Sequence, residues 1–506
     1  MSELVPIRRW AKLLDQSRCI GCHACSTACK SENGVPLGVH RTYVKAVEVG
    51  SFPAVRRAFQ VTRCNQCDAA PCTVACPTRA MYRRRDGIVD FDKAICIGCK
   101  ACIAACPYDA IFINPDDGAA EKCNLCSHRI DAGLEPACVT VCPTSAIIVG
   151  DLDDMSSPLA ERLRGSQVRK PEKQTRPKVF YQGATAATLD PLAARRPDGG
   201  LYLWAEQPRG PGSVAAGHPA SSAAALLAYD VAHHIPWDWR VSLYTWTKGV
   251  AAGVYLVALG LLALGVLDPA AAAWRWRVPG VAAGFLLLTG GVLIADLEHP
   301  ERFLLIFTRH HGRSWLVRGA FVIAGYGAVL TVHLACSLAG RPPPAWLAIA
   351  GAPLAALTAI YTAFLFAQAR ARDLWQSRLL APHLAVQAIV LGAAAMIVAG
   401  LGGPGGPGGP GAAAVHAARL LAIASAVHLA LIAAEVARRH ATEHARLAVR
   451  AMTAGSYARV FWPGVALGAA GLAAPWLPLP AAIAALAGML CFEHAHVQAG
   501  QIVPLA

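Results

Sequence analysis

Cysteine is almost absent from most of this chain. Beyond residue 142 of 506 it occurs only at Cys336 and Cys491, and the other sixteen of eighteen lie in front. Charge is scarce too, with Asp, Glu, Lys and Arg making up 15% of the residues. After residue 240 come Ala-, Leu-, Gly- and Val-rich stretches too long and too uncharged for a water-soluble core. The N-terminus has the opposite lack. Residues 1–18 carry the pair Arg8 and Arg9, but no apolar run follows before Cys19. A cleavable signal and a twin-arginine export signal both need that run, so neither is expected. Closely spaced cysteines in such a protein point to metal ligation in a reducing compartment and argue against a disulfide framework.

The sixteen cysteines fall into four groups. Cys19, Cys22, Cys25 and Cys29 read C-x2-C-x2-C-x3-C, and Cys96, Cys99, Cys102 and Cys106 repeat that spacing. Cys64, Cys67, Cys72 and Cys76 read C-x2-C-x4-C-x3-C, while Cys123, Cys126, Cys138 and Cys142 read C-x2-C-x11-C-x3-C. Three thiolates on one tight loop reach three irons of a cubane, and the fourth, on a turn that points away, ligates the other cluster of a pair. Pro77, Pro107 and Pro143 supply the ferredoxin ending C-P, whereas Lys30 follows Cys29. Zinc sites favour two closed C-x2-C pairs, a poorer match. Four [4Fe-4S] clusters are therefore expected, each with its thiolates carrying roughly −2. They bring the formal net charge of +14 down to about +6, and the remaining excess is largely Arg in short loops between apolar segments, so no nucleic-acid partner is expected.

The stretches CIGCHACSTACKSENGVPLG and KCNLCSHRIDAGLEPACVTVCPTSAI, with the order of the four groups, resemble the four-cluster electron-transfer subunits of the dimethyl sulfoxide reductase and polysulfide reductase families over about residues 10–205. The resemblance implies an α+β ferredoxin-like domain and an interleaved ligand scheme. Cys19, Cys22 and Cys25 would share a cluster with Cys142, and Cys123, Cys126 and Cys138 one with Cys29. Cys64, Cys67 and Cys72 would go with Cys106, and Cys96, Cys99 and Cys102 with Cys76. No ligand position is vacant, so no three-iron variant is expected. Short β-type segments at Gly87–Phe91, Ala110–Ile113 and Lys178–Tyr181 fit between and after the groups.

The expected division is a cluster domain over 1–205, a linker and interfacial segment over 206–240 with a flexible stretch at 207–222, and an all-α membrane domain over 241–506. About eight transmembrane helices are expected, near 245–267, 279–297, 315–339, 345–368, 380–402, 412–437, 458–476 and 479–498, with a short Gly-Pro loop at 402–411. Trp237, Trp239 and Trp246 suit a membrane interface. Loops on the N-terminal side hold twelve arginines and the opposite loops three, which places the N-terminal side in the cytoplasm of an inner-membrane protein.

The segments IADLEHPERFLLIF and RSWLVRGAF resemble the NrfD-type anchors of the polysulfide reductase family. That resemblance implies exchange of electrons with membrane quinone, no haem, and a separate molybdopterin-type catalytic subunit. Fusion of anchor to cluster protein departs from the usual separate subunits. Quinone contact is expected at the cluster-side boundary, at Trp246, Lys248, Asp296, His299, Arg302 and Arg318, with Tyr361 and Gln368 at similar depth. Arg302 and Arg318 read equally as anchors of the positive-inside kind. His383, Gln387, His416, Arg419, His428, Glu435, Glu493, His494 and His496 suit a proton path, haem ligation or interhelical hydrogen bonding. His428 has no evident partner at its depth. Two other readings keep the clusters: a cytochrome b-type component of a hydrogenase or formate dehydrogenase complex, and a cluster-driven ion-translocating module.

Overall fold

The structure is a computed structural model that describes residues 8–50, 53–195, 225–401 and 411–505. The connector expected at 207–222 and nearly all of the Gly-Pro loop lie outside the described residues.

The front half is a mixed α/β domain whose sheets are small because the cysteine loops take up most of its length. β1 (Trp10–Asp15) is the middle of a sheet, antiparallel to β8 (Ile147–Asp151) and parallel to β9 (Val179–Gln182). β2 (Thr42–Val49) pairs with β3 (Arg56–Arg63). Two three-residue hairpins, β4 (Met81–Arg83) with β5 (Val89–Phe91) and β6 (Ile111–Ile113) with β7 (Ala120–Lys122), brace the central cysteine loops. The strands expected near 87–91, 110–113 and 178–181 are β5, β6 and β9. Part of the expected linker belongs to this domain instead. Residues Ala225–Tyr229 form β10, antiparallel to β2, with Leu227 and Ala225 buried there. The backbone of ALLAY pairs with the edge of β2, which a flexible connector would leave open.

The second half is helical. Seven helices are long and apolar enough to cross a membrane: α1 (Trp239–Ala263), α2 (Val278–Ala295, entered through a π-turn at Ala273–Arg277), α3 (Trp315–Leu338), α4 (Ala345–Gln368), α5 (Leu380–Val398), α6 (Ala412–Ala437) and α9 (Pro478–Ile502). The segment expected as the seventh of eight spans is the shorter apolar helix α8 (Ala458–Ala469), extended by a 3-10 turn to Ala473. It packs along α9, where a Cβ at Gly488 would meet the backbone of Gly464 and Leu467. Between α6 and α8 lies α7 (Glu443–Thr453), in a region read from sequence as an arginine-rich loop. Its arginines alternate with buried Leu447, Ala448, Val449 and Met452 at helical spacing, so it lies at the boundary with one face inward. α1 is the central helix, packing against α2, α4, α5 and α9. Its Gly253 meets Gly392 of α5 backbone to backbone, the close approach that small residues permit between helices in lipid.

Candidate functional site

The fold gathers the sixteen thiols into four neighbourhoods. Cys19 lies among Cys22, Cys25 and Cys142, and Cys29 among Cys123, Cys126 and Cys138. Cys67 and Cys72 lie beside Cys64 and Cys106. Cys99 and Cys102 lie beside Cys76 and Cys96. In each neighbourhood the last cysteine of one sequence group joins the first three of another. The four form a row, because Cys25 adjoins Cys138, Cys64 adjoins Cys123, and Cys102 adjoins Cys72. Among the described residues no three Cys, His, Asp or Glu side chains close on one metal ion. Three thiols of one tight loop joined by a fourth from another group fit a cubane better than a mononuclear zinc site.

Donors aim at the sulfurs. The backbone N–H groups of Met81, Ala120 and Ala146 donate to Cys76, Cys96 and Cys142 at 3.3, 3.4 and 3.3 Å. Lys12 Nζ and Arg63 Nη1 both donate to Cys138 Sγ at 3.3 Å. Burial alone would push the Cys138 thiol up, but these two cations outweigh it and bring it down to about 7. Arg63 is buried, and its Nε and Nη2 have no hydrogen-bond partner among the described residues. A buried guanidinium without a carboxylate needs a nearby anion, which an anionic cluster supplies.

The Cys76/Cys96/Cys99/Cys102 end of the row rests on the membrane half. Trp237 Nε1 donates to Cys99 O at 3.2 Å, and Ser314 Oγ to Ala75 O at 2.8 Å. His311 N donates to Pro77 O at 2.8 Å, and Arg302 Nη1 to the carbonyls of Lys93 and Cys96 at 3.0 Å. Asp296 caps the C-terminus of α2 at this seam. Lys100 Nζ lies 3.8 Å from Asp296 Oδ1 and 2.9 Å from Glu298.

The residues expected at a quinone therefore divide. Lys248 and Asp296 are both buried, and Tyr244 links them, lying near Asp296 and near Glu493, the neighbour of Lys248. His299 and Arg302 face the cluster domain, where the His299 ring contacts Asp117 O at 2.8 Å. Trp246 turns toward α9 and α2, donating to Leu486 O at 2.9 Å and packing on Phe285. Arg318 is exposed, donates to Gly312 O at 2.8 Å and lies over Trp315.

Residues 230–504, more than half of the sequence, match the family described as polysulphide reductase, NrfD. This protein belongs to that family. Residues 55–152 match the 4Fe-4S dicluster domain. A subunit of tetrathionate reductase from Salmonella typhimurium is 44% identical over 197 residues, covering 38% of this chain and 78% of the relative. A polypeptide of the polysulfide reductase of Wolinella succinogenes is 41% identical over 178 residues, 34% of this chain and 93% of the relative. A putative dimethyl sulfoxide reductase iron-sulfur subunit of Halobacterium salinarum is 39% identical over 201 residues, 33% and 77% respectively. The protein is thus a multi-pass membrane subunit of a redox complex that joins an iron–sulfur electron-transfer protein to an NrfD anchor.

Within the NrfD half, residues the sequence reading passed over or left among several options complete the region of Lys248 and Asp296. Lys248 Nζ donates to Ala359 O at 2.6 Å and stands 5.2 Å from the Tyr361 ring centre. Glu493 of α9 lies against Lys248 and Thr245. Tyr244, one turn before Lys248, lies among Tyr361, Thr362, Glu493 and Asp296, with its hydroxyl toward Thr362. Helical spacing of Tyr244 and Lys248 was the available signal for Tyr244; Glu493 stood out as an ionisable residue in an apolar span, but nothing in the sequence joined it to Lys248. The partner that His428 lacked in sequence is His383, whose Nε2 is 2.8 Å from His428 Nδ1.

A second seam joins the halves through His233. Its Nδ1 is 2.5 Å from Asp109 Oδ2 and its Nε2 3.1 Å from Asp230 Oδ1. Burial alone would push this imidazole down, but the two carboxylates outweigh it and hold it up to about 10. A raised folded-state value means that the clasp is fully present below about 6.5, the unfolded value, and is lost as pH rises toward about 10. His233→Gln should remove that dependence and cost on the order of 3–5 kcal/mol at neutral pH, measured by thermal unfolding across this pH range. An unchanged pH slope in the variant would dismiss the clasp.

Proposed function

We propose that the four thiol neighbourhoods hold four [4Fe-4S] clusters, and that the protein passes electrons between a separate molybdopterin-type catalytic subunit and quinone in the membrane. The named relatives are components of tetrathionate, polysulfide and dimethyl sulfoxide reductases, which supports a catalytic partner of that class. When bound, the clusters supply one-electron transfer along the row. The excess of arginines on the cluster side supports a cytoplasmic placement of that domain.

The observation that carries the quinone assignment is the seam itself. Asp296, Tyr244 and Lys248 are buried on the membrane side of the two cysteine loops that meet Trp237 at Cys99 and Ser314 at Ala75. A quinone oxygen there needs a hydrogen-bond donor and a group that gives or takes a proton. The Tyr244 hydroxyl and Lys248 ammonium are donors, and Asp296 is a proton-exchanging group. Lys100 holds the backbone of Asp296, donating to its carbonyl at 3.2 Å, while docking of the cluster domain excludes water. Asp296→Asn keeps the shape and removes the proton exchange. It should lower quinone-linked turnover about 10²-fold while reduction of the clusters by a small dye continues. Full quinone turnover in that variant would withdraw Asp296 from the site.

A further inference from the structure

Reducing a quinone takes two electrons and two protons, each carbonyl oxygen gaining one proton as the ring gains the electron pair. The cluster domain that brings the electrons also closes the site from above. Asp296 is 8% exposed, Lys248 1% and Glu493 4%. Protons must therefore enter elsewhere.

We propose that α5, α6, α7 and α9 enclose the proton inlet of this protein, leading from the cluster-side surface through Glu435 and His496 to Glu493. This rests on the quinone reading above. At the surface, exposed Arg438 donates to Ser377 Oγ at 3.1 Å, and Ser377 Oγ donates to Glu435 Oε2 at 2.6 Å. Arg438 stands 3.6 Å from the same carboxylate. Beneath them a cavity is lined by Glu435, His383, His496, Phe492 and, from α7, Met452. His496 is 7% exposed, and its Nε2 has no hydrogen-bond partner among the described residues. An imidazole nitrogen buried at a cavity without a partner calls for a water, and water there is a proton carrier. His383, at the cavity wall, is linked to His428, and Gln387 Oε1 and Ser425 Oγ, one turn away on the same helices, also lack partners among the described residues. Glu493 lies one turn before His496 on α9 and adjoins Lys248, so one helix carries both the inlet and the site.

In the cycle, the proton arriving at Glu493 replaces one given up through Lys248, Tyr244 or Asp296. The electrons come by the cluster row from the catalytic partner. Oxidation of quinol runs the same route outward.

The test uses the full-length, cluster-loaded protein in liposomes, with a reduced viologen as donor and a short-tailed quinone as acceptor. Glu435→Gln and His496→Leu should each slow quinol formation about ten-fold or more and enlarge the solvent deuterium isotope effect, while viologen reduces the clusters at the wild-type rate. Azide or imidazole, as small proton carriers, should restore much of the lost rate. Arg341→Gln, exposed beyond the C-terminus of α3, should change nothing. Wild-type rates in both inlet variants, or losses that no proton carrier restores, would overturn the inlet and leave the quinone site standing. A wild-type protein whose reduced clusters transfer nothing to quinone would end both.

Discussion

Replacing Lys12 by Met should lower the midpoint potential of one cluster by about 0.1 V and leave the more distant ones nearly unmoved. The size follows from Coulomb's law. A unit charge about 6 Å from a cluster at an effective dielectric near 20 is worth roughly 3 kcal/mol, and the oxidised and reduced cluster differ by one negative charge. Lys12 is fully buried and its ammonium touches Cys138 Sγ, so solvent screens little of that field. Arg63→Met should act more broadly, because Arg63 neighbours Cys25 and Cys123 as well as Cys138. Its loss should pull down the cluster of Cys138 and, less strongly, the one that holds Cys25. Methionine keeps the length of the stem, which limits the packing change to the lost head group. A redox titration followed by electron paramagnetic resonance reads each cluster separately. Midpoints that stay put in Lys12→Met would mean that a carboxylate or water outside the described contacts compensates the ammonium.

Neither cation was visible as a tuning group in the sequence. Lys12 is one basic residue in a basic N-terminal arm, and Arg63 directly precedes Cys64 yet turns to Cys138, 75 positions away. The cysteine pattern was legible because cluster ligation fixes local spacing, and a spacing survives reading along a line. The row itself depends on which loops meet, and came from family resemblance before the fold placed Cys29 with Cys138 and Cys102 with Cys72. The spans were legible for a related reason, since crossing hydrocarbon sets a length and an apolar composition. α8, expected as a span, is a shorter apolar helix that leans on α9 through Gly464 and Gly488, while the boundary helix α7 escaped that rule because it buries only one face. The quinone candidates divided for the same reason. Depth in the membrane could be read from topology, which put Asp296 and Lys248 together with Arg302 and His299. Direction around the helix could not, and the latter two side chains turn to the cluster domain.

Cys76→Ala and Cys106→Ala make the sharpest contrast in the protein, because each sits in one sequence group and serves the neighbourhood of another. If ligation followed sequence order, Cys76→Ala would cost the cluster of Cys64, Cys67 and Cys72. The fold instead sets Cys76 beside Cys96, with the Cys102 and Cys99 thiols close by. Cys76→Ala should therefore remove the membrane-side cluster, reducing iron by about four atoms per molecule and quinone turnover by more than about 10²-fold, since the remaining row ends one step short of Asp296. Cys106→Ala should remove the preceding cluster and leave the membrane-side signal in place. At the far end, Cys22 is exposed, as suits a terminus that meets another polypeptide. Cys22→Ala should leave viologen-driven quinone reduction largely intact and abolish transfer from the catalytic partner. Iron content, resonance spectra and the two turnover assays distinguish these outcomes. Loss of the same cluster signal from Cys76→Ala and from Cys72→Ala would restore sequence-order ligation and break the row at its middle.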